Sequence, residues 1–330
     1  MSIKSWIKKY KISENKNFIF DNETYIITYI YKYIMNLLDR CKYTLLLNFF
    51  HPKQNEKKKY NTSICAIFKN EAPYLKEWIE FHRIIGIDHF YLYNNFSNDD
   101  FNNILKTYID KGIVTLINWE IPQGQMSAYK NCVETYSYET KWICFIDLDE
   151  FIVPNKVDNI YDFLIKFEKN RPYILCYWKN FTSSGYLKRN INQLVIEDFI
   201  ISWQKYTNIG KLFFNTAYNY ADELEENRYM HYRWAKFKNI KLPPINIFGK
   251  ICTRNIHPIS GNDFPIQINH YLIKSYDEYF SIKRKRGDAV YEKSNHDIEY
   301  FYEHDCKMCD TDYHAYKYLI KLKNKMIIKQ

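Results

Sequence analysis

Short apolar runs alternate with amphipathic segments in the middle of the chain. Strand-like runs occupy residues 63–68, 89–93, 113–117 and 142–146. The segments between them carry apolar residues at helical spacing, which predicts helices over residues 72–86, 99–111 and 125–138. Strands that alternate with helices in this way are typical of βαβ units. We therefore predict an α/β fold with a mostly parallel, Rossmann-like sheet and helices on both faces.

The first sixty residues follow a different pattern. Apolar side chains recur at helical spacing at Ile26, Ile30, Ile34, Leu37 and Leu38. They predict either a helix packed on the main domain or an amphipathic helix at a membrane surface, which Lys4, Lys8, Lys9 and Lys11 would favour. The longest apolar run, residues 25–38, contains Lys32 and is shorter than the ~20 residues that span a bilayer.

These patterns divide the chain into three parts. We expect an N-terminal helical extension with a basic linker over residues 1–60 and a main domain over residues 61–290. A C-terminal helical extension would follow over residues 291–330, with a last helix at residues 315–328.

Composition and charge narrow the function classes. Lys and Arg exceed Asp and Glu by 47 − 38 = +9, but apart from residues 283–286 the basic side chains are scattered. A nucleic-acid-binding protein, the rival interpretation of this charge, would gather them on one face, so we expect no nucleic-acid partner. Cys65, Cys144 and Cys176 lie inside apolar runs, as reduced thiols do. With no signal-peptide pattern at the N-terminus, we expect a cytoplasmic protein with peripheral membrane contact through residues 1–50.

An acidic cluster follows the fourth predicted strand directly. In an extended chain Asp147 and Asp149 project to the same side, about 7 Å apart, while Leu148 points back toward the core. Ligands of open α/β sheets bind at the carboxyl ends of the strands, where this cluster falls. Two carboxylates that close favour a cation between them, and hard divalent ions such as Mg²⁺ or Mn²⁺ prefer oxygen ligands.

Five motifs occur in order along the chain. They are KNEAPYLKEWIEFHRIIGIDHFYLYNN (69–95), Gln125 with Ala128 and Asn131-Cys132, KWICFIDLDEFIVP (141–154), SSG (183–185) and INHYLIKSYDEYFSIKRKRG (268–287). Together they resemble glycosyltransferase family 92 and, more distantly, family-2-type glycosyltransferases. The resemblance implies a GT-A fold, a bound Mn²⁺ or Mg²⁺, a UDP-sugar donor such as UDP-galactose, a glycan or other hydroxyl acceptor, and inversion at the sugar carbon.

The same resemblance implies roles for single residues. Asp147 and Asp149 would hold the metal, and His270 would complete its coordination unless it is a packing histidine and His257 takes that place. Lys274, Lys283 and Arg286 would face the diphosphate, or else form a solvated basic helix. The other expected donor contacts are Asn70, Glu71, Gln125, Asn131 and Asp147.

An inverting transfer also needs a base for the acceptor hydroxyl. Glu278 matches an acidic family position and is our candidate, with Asp277, Asp288 and Asp222 as alternatives. Trp178 and residues 183–185 are expected either at the acceptor or in the core. A catalytically inactive sugar-binding or scaffolding protein on the same fold is the alternative function.

Two further features depart from a simple family pattern. Asn94-Asn95-Phe96-Ser97 lacks the carboxylate that the family often carries after the second strand, which puts a nucleotide contact there in doubt. His304, Cys306, Cys309 and His314 surround a single C-x₂-C. Without a second C-x₂-C pair this is a poor zinc motif, and we expect no zinc site.

Overall fold

The computed structural model describes residues 22–53, 57–190, 192–220, 231–253, 263–286 and 297–327. In these residues the main sheet has the strand order β3-β2-β1-β4-β8-β6-β13-β5, with β12 beside β6. The strands of this sheet are β1 (Tyr60–Phe68), β2 (His89–Asn94), β3 (Val114–Asn118), β4 (Thr140–Phe145), β5 (Glu150–Pro154), β6 (Tyr173–Asn180), β8 (Gly210–Asn215), β12 (Ile245–Asn246) and β13 (Ile266–His270). Short strands outside it are β7 (Ile201–Trp203), β9 (Asn219–Tyr220), β10 (Ala235–Phe237), β11 (Ile240–Leu242) and β14 (Cys309–Thr311).

Helices fill most of the connections between the strands. They are α1 (Asn22–Phe49), α2 (Ala72–Ile84), α3 (Phe101–Asp110), α4 (Gln125–Tyr136), α5 (Ile160–Glu168), α6 (Val195–Asp198), α7 (Tyr276–Glu278), α8 (Arg284–Arg286), α9 (Ile298–Asp305) and α10 (Leu319–Ile327). A π-helical turn, Tyr279–Lys283, joins α7 to α8, and a 3₁₀ turn, His314–Tyr318, precedes α10.

The predicted βαβ alternation is confirmed in the first half of the sheet. Strands β3, β2, β1 and β4 run parallel to one another, and α2, α3 and α4 connect them. The second half is mixed, because β8 runs antiparallel to both β4 and β6, and β5 runs antiparallel to β13. The sheet is therefore parallel where the sequence alternates strand and helix, and mixed beyond β4.

Two glycines shape this scaffold. Gly86 adopts φ +94° after α2, as a helix-ending glycine does. Gly210 opens β8, where an added Cβ would lie 1.8 Å from the backbone oxygen of Cys176 on β6. The close approach of these two strands thus requires glycine, and it sets the position of the next residue, Lys211.

The C-terminal part of α1 and the segment before α10 both pack on the rest of the described chain. Near the C-terminal end of α1, Leu47 is buried, and the ring of Tyr43 contacts Trp234 at 5.2 Å. Along α1 a row of apolar side chains is exposed, namely Ile34, Leu37, Leu38, Leu45 and Phe49. At the other end, Tyr318 donates a hydrogen bond to the backbone oxygen of Pro154. No helix in the described ranges is long and apolar enough to cross a membrane.

Candidate active site

The acidic cluster forms a tight turn between β4 and β5. The backbone nitrogen of Asp147 donates to Glu150 Oε2 at 3.1 Å, and that of Glu150 donates to the oxygen of Asp147 at 3.1 Å. Leu148 is buried in the hydrophobic core, as predicted, while Asp147 is part-exposed and Asp149 is buried among polar groups. This turn stands at the carboxyl end of β4, where the four parallel strands end.

Asp147 is held by three groups from other parts of the fold. Lys211 Nζ lies 2.8 Å from Oδ2, while Gln125 Nε2 and the Tyr129 hydroxyl donate to Oδ1 at 2.7 and 3.3 Å. Burial raises the pKa of Asp147, but Lys211 more than offsets this, so the net direction is downward. Gln125, predicted as a donor contact, thus orients Asp147, and both carboxylate oxygens already accept hydrogen bonds.

Asp149, Glu150 and His270 bring three potential metal ligands together. One ligand atom from each lies within 4.8 Å of the others, and His270 Nε2 is 3.9 Å from both Asp149 Oδ1 and Glu150 Oε1. All three residues are buried. Asp149 and His270 were predicted as ligands, whereas Glu150 was not. Asp147 lies in the same turn, but its oxygens face Lys211 and Gln125 instead.

The members of this trio differ in protonation. Burial lowers the pKa of His270 to about 3, so the ring is neutral, and Nδ1 contacts Asn180 Oδ1 at 3.1 Å, which leaves a lone pair on Nε2. Burial raises the pKa of Glu150 well above its ordinary value, and Oε1 receives no hydrogen bond from the described residues. Oε1 lies 3.4 Å from Lys211 Nζ, at ion-pair distance, and beside the neutral imidazole this carboxylate would bind a divalent ion in place of a proton.

Three lysines surround the acidic turn. Lys211 has a fully buried side chain, and Lys283, in the π-helical turn, contacts Asp149 Oδ2. Lys274 Nζ lies 3.7 Å from the centroid of the Tyr74 ring. Burial lowers the pKa of Lys274, and the nearby Glu71 and Asp149 carboxylates oppose that shift. The structure therefore brings the predicted pair Lys274 and Lys283, and also Glu71, to the site.

Glu278 lies at the edge of the same cluster, where it caps a helix. Its carboxylate accepts from the Tyr74 hydroxyl and from Ser275 Oγ, with which it forms a reciprocal capping box at α7. Burial raises the pKa of Glu278, but the Ser275 and Tyr74 hydrogen bonds and the charges of Lys274 and Arg189 bring it below its ordinary value. A carboxylate with these contacts is a weak base, and the catalytic role of Glu278 stays a prediction.

Other predicted residues have different surroundings. Asn70, at φ +55°, accepts from the backbone of Asn98 and so organises a loop, while Asn131 accepts from the Tyr93 hydroxyl at 2.8 Å. Trp178 stacks on the His270 ring, 4.6 Å between centroids. The positions that lie outside the described residues are His257, Asp222 and Asp288, together with the side chain of Arg286.

The zinc motif does not form a metal site in the described ranges. His304 is buried, Cys306 is exposed, and His314 Nδ1 contacts Asp312 at 2.8 Å instead. Within the described chain the trio at Asp149 is the metal-ligand group that is found. A surface cleft of about 310 Å³ near Arg83 and Lys325 contains none of the predicted site residues.

Sequence reasoning missed Lys211 and Glu150. A signal for Lys211 was present, since a lysine directly after glycine stands in the apolar run GKLFF (210–214). A charged side chain inside a buried strand requires a partner of opposite charge. The acidic cluster after the fourth predicted strand was a candidate for that partner. No comparable signal pointed to Glu150, because in the sequence it is only the first polar residue after the predicted turn.

The family model and the curated relatives that match this chain agree on one family. A family model described as glycosyltransferase family 92 matches residues 58–246. A glycosyltransferase family 92 protein of Ricinus communis is 30% identical over 101 residues, which are 30% of this chain and 18% of that protein. Beta-1,4-galactosyltransferase galt-1 of Caenorhabditis elegans is 34% identical over 109 residues, which are 29% of this chain and 26% of that protein. The chain thus matches about a fifth to a quarter of the length of these relatives.

Similarity to solved structures is more distant. S. aureus TarS 1–349 in complex with UDP superposes with a TM-score of 0.35 at 14% identity, over 51% of this chain and 52% of that one. Glucosyl-3-phosphoglycerate synthase from Mycobacterium tuberculosis, in complex with Mn²⁺, UDP and glucosyl-3-phosphoglycerate, gives a TM-score of 0.27 at 14% identity, over 39% and 52% of the two chains.

Proposed function

Because the chain belongs to glycosyltransferase family 92, we propose that it is a metal-dependent, inverting glycosyltransferase that transfers a hexose from a UDP-sugar to a hydroxyl group. The observation that supports this most is the buried trio of Asp149, Glu150 and His270 with Lys283 beside it. Oxygen and imidazole ligands next to the Lys283 ammonium group, which contacts Asp149, suit a metal-bound diphosphate.

The metal would be held by Asp149 Oδ1, Glu150 Oε1 and His270 Nε2. Asp147, which we also predicted as a ligand, orients the turn through Lys211 and Gln125 and contacts the donor. A divalent ion held by these residues would supply Lewis-acid stabilisation of the diphosphate. Mn²⁺ suits the mixed oxygen and nitrogen donors, since imidazole is a poor ligand for Mg²⁺.

The lysines complete the stabilisation of the leaving group. As the bond between the sugar carbon and the diphosphate oxygen breaks, negative charge develops on UDP. Lys283 exchanges its contact with Asp149 for a phosphate oxygen, and Lys274 adds a second positive charge. Burial lowers the pKa of Lys274, and the negative charge of a diphosphate would oppose that shift as the Glu71 and Asp149 carboxylates do.

Inversion follows from a single displacement. The acceptor oxygen forms a bond to the sugar carbon on the face opposite to UDP, and its proton goes to a carboxylate. Glu278 remains the proposed base, and Asp277, which is exposed on the same turn, is the alternative. We propose galactose as the hexose because the C. elegans relative and an Arabidopsis thaliana relative, 32% identical over 113 residues, are both named galactosyltransferases.

A panel of UDP-sugars incubated with Mn²⁺ and simple hydroxyl acceptors tests the proposal. We expect turnover of UDP-galactose by the unmodified protein. Asp149→Asn should lower it by more than about 100-fold, since several kcal/mol of charge stabilisation are lost. Asp100→Asn, at an exposed position before α3, is the control that should retain activity. Nucleotide binding without turnover of any sugar would favour the inactive scaffold instead.

A further inference from the structure

The segment that begins at residue 297 approaches the candidate site from two sides. Phe301 of α9 contacts Tyr279 and Phe280, with ring centroids 5.1 and 5.8 Å apart, in the turn that carries Lys283. On the other side, the Asp305 carboxylate accepts from the backbone nitrogen of Ser183 at 2.7 Å and from its hydroxyl at 3.0 Å. Helix α9 is thus fixed between the Lys283 turn and the SSG loop.

His304 lies between these two anchors and is 5% exposed. Its backbone oxygen accepts from Trp203 Nε1 at 2.9 Å, and its ring lies 4.6 Å from the Trp203 ring. The ring also makes a hydrogen bond with the backbone of Phe181, yet Nε2 has no partner in the parts of the chain that the structure describes. Burial lowers the pKa of His304 to about 3, so Nε2 is an unused acceptor.

The surroundings connect this nitrogen to the candidate active site. Phe181 donates its backbone N–H to the oxygen of His270 at 2.9 Å, so the neighbour of His304 also holds the proposed metal ligand. His270 and Lys283 are close enough to His304 to act on it electrostatically. Trp178, which stacks on His270, likewise has a buried Nε1 donor without a described partner.

Among the described residues, His304 Nε2 is an unused acceptor near His270, and Nε1 of Trp178, whose ring contacts that of His270, is an unused donor. A buried polar atom without a partner costs free energy, and a ligand that satisfies it recovers that cost. A sugar hydroxyl both donates and accepts, and so matches His304 Nε2 and Trp178 Nε1. A zinc ion does not account for the pattern, since Cys306 is exposed and Cys309 contacts the backbone of Lys307.

We propose that His304 Nε2 accepts a hydrogen bond from a hydroxyl group of a sugar bound beside His270, which makes the C-terminal segment part of the substrate site. The proposal rests on the proposed function and deepens it. It concerns residues beyond the stretch that the family model matches, residues 58–246. The hydroxyl belongs to either the donor hexose or the acceptor, and the two sources give different results in the test.

His304→Phe keeps a ring against Trp203 and removes Nε2. Tyr302→Phe, at a half-exposed position on the same helix, is the matched control. We expect His304→Phe to keep the melting temperature and the affinity for UDP with Mn²⁺. A donor-sugar contact predicts about five- to tenfold weaker binding of UDP-galactose, and an acceptor contact predicts a similar rise in the acceptor KM at unchanged donor affinity. Equal losses in melting temperature and UDP affinity would indicate a structural role and overturn the proposal.

Nitrogen NMR of the histidine rings gives a reading that needs no turnover. The Nε2 resonance of His304, assigned by its absence in His304→Phe, should shift with UDP-galactose or free galactose and not with UDP alone. Unchanged resonances with every sugar, together with unmodified affinities in His304→Phe, would overturn the proposal. If the unmodified protein binds no UDP in the presence of Mn²⁺, the proposed function is wrong. The shift of the His304 Nε2 resonance with free galactose then tests the sugar contact by itself.

Discussion

Replacing Lys211 with methionine removes the buried positive charge that neutralises the acidic turn. Lys211 Nζ lies 2.8 Å from Asp147 Oδ2 and 3.4 Å from Glu150 Oε1, and its side chain is fully buried. Methionine preserves most of the volume, so the change is mainly electrostatic. After it, Asp147 keeps only its bonds to Gln125 and Tyr129.

The size of the effect follows from burial. Removing one partner of a fully buried ion pair costs about 3–5 kcal/mol, because the remaining charge is left without compensation. The Asp147 side chain is 33% exposed, so water replaces part of the lost interaction. We therefore expect Lys211→Met to lower the free energy of unfolding by about 3 kcal/mol at pH 7. Lys285→Met, at an exposed position, should change it by less than about 0.5 kcal/mol.

The pH dependence of the unfolding free energy tests the electrostatic contribution of the Lys211–Asp147 pair. The folded-state pKa of Asp147 is lowered, so its stabilising contribution is present above its unfolded pKa of about 3.9 and disappears as the pH falls through the folded value. The deficit of Lys211→Met should therefore be largest near neutral pH and shrink below about pH 4.

Urea denaturation of the single and double variants measures both effects. If the cost arises from an uncompensated Asp147 charge, Asp147→Asn should restore part of the stability when it is added to Lys211→Met. A loss below about 1 kcal/mol at pH 7, or a double variant that is less stable than Lys211→Met alone, would refute the reasoning.

Three further predictions concern the scaffold and the N-terminal helix. Gly210→Ala should destabilise the protein by about 3 kcal/mol in urea, because the new Cβ meets the backbone of Cys176, whereas Gly112→Ala, with open space but φ +66°, should cost about 1 kcal/mol. Burial lowers the pKa of His82 to about 3, so the unfolding free energy should fall by up to about 1.4 kcal/mol per pH unit below 6.5, and this slope should be shallower in His82→Leu. If the exposed apolar row on α1 contacts membranes, the protein should sediment with vesicles that contain anionic lipid. A variant with serine at Ile34, Leu38 and Leu45 should then stay in the supernatant. Equal sedimentation of the variant and the unmodified protein would contradict membrane contact.

The parallel half of the fold was predictable because its signals are local. Each apolar run and each helical stripe between residues 63 and 146 determines one element, and βαβ connections leave little choice of direction. The antiparallel strands β8 and β5 could not be placed in this way. Their neighbours, β4 with β6 and β13, are distant in sequence, so pairing depends on contacts that no local pattern records.

The same difference between local and long-range signals applies to the residues of the candidate site. Asp149 was found because it follows a strand end, and His270 was found through the family resemblance. Lys211, Glu150 and His304 were not assigned to the site from the sequence. Their proposed roles depend on how β8, the acidic turn and α9 pack in the fold, and on the burial of each side chain there. Glu278 was proposed as a base from its acidic type and its match to the family; the fold adds a capping contact at α7, and the catalytic role stays a prediction.

Calorimetric titration of UDP with and without Mn²⁺ decides whether the site binds the nucleotide through a metal ion. We expect binding with Mn²⁺ that becomes at least about tenfold weaker without the metal, and we expect His270→Gln to weaken the metal-dependent part by about 10- to 100-fold. Equal affinity with and without Mn²⁺, or no binding at all, would contradict a metal-dependent UDP-sugar transferase.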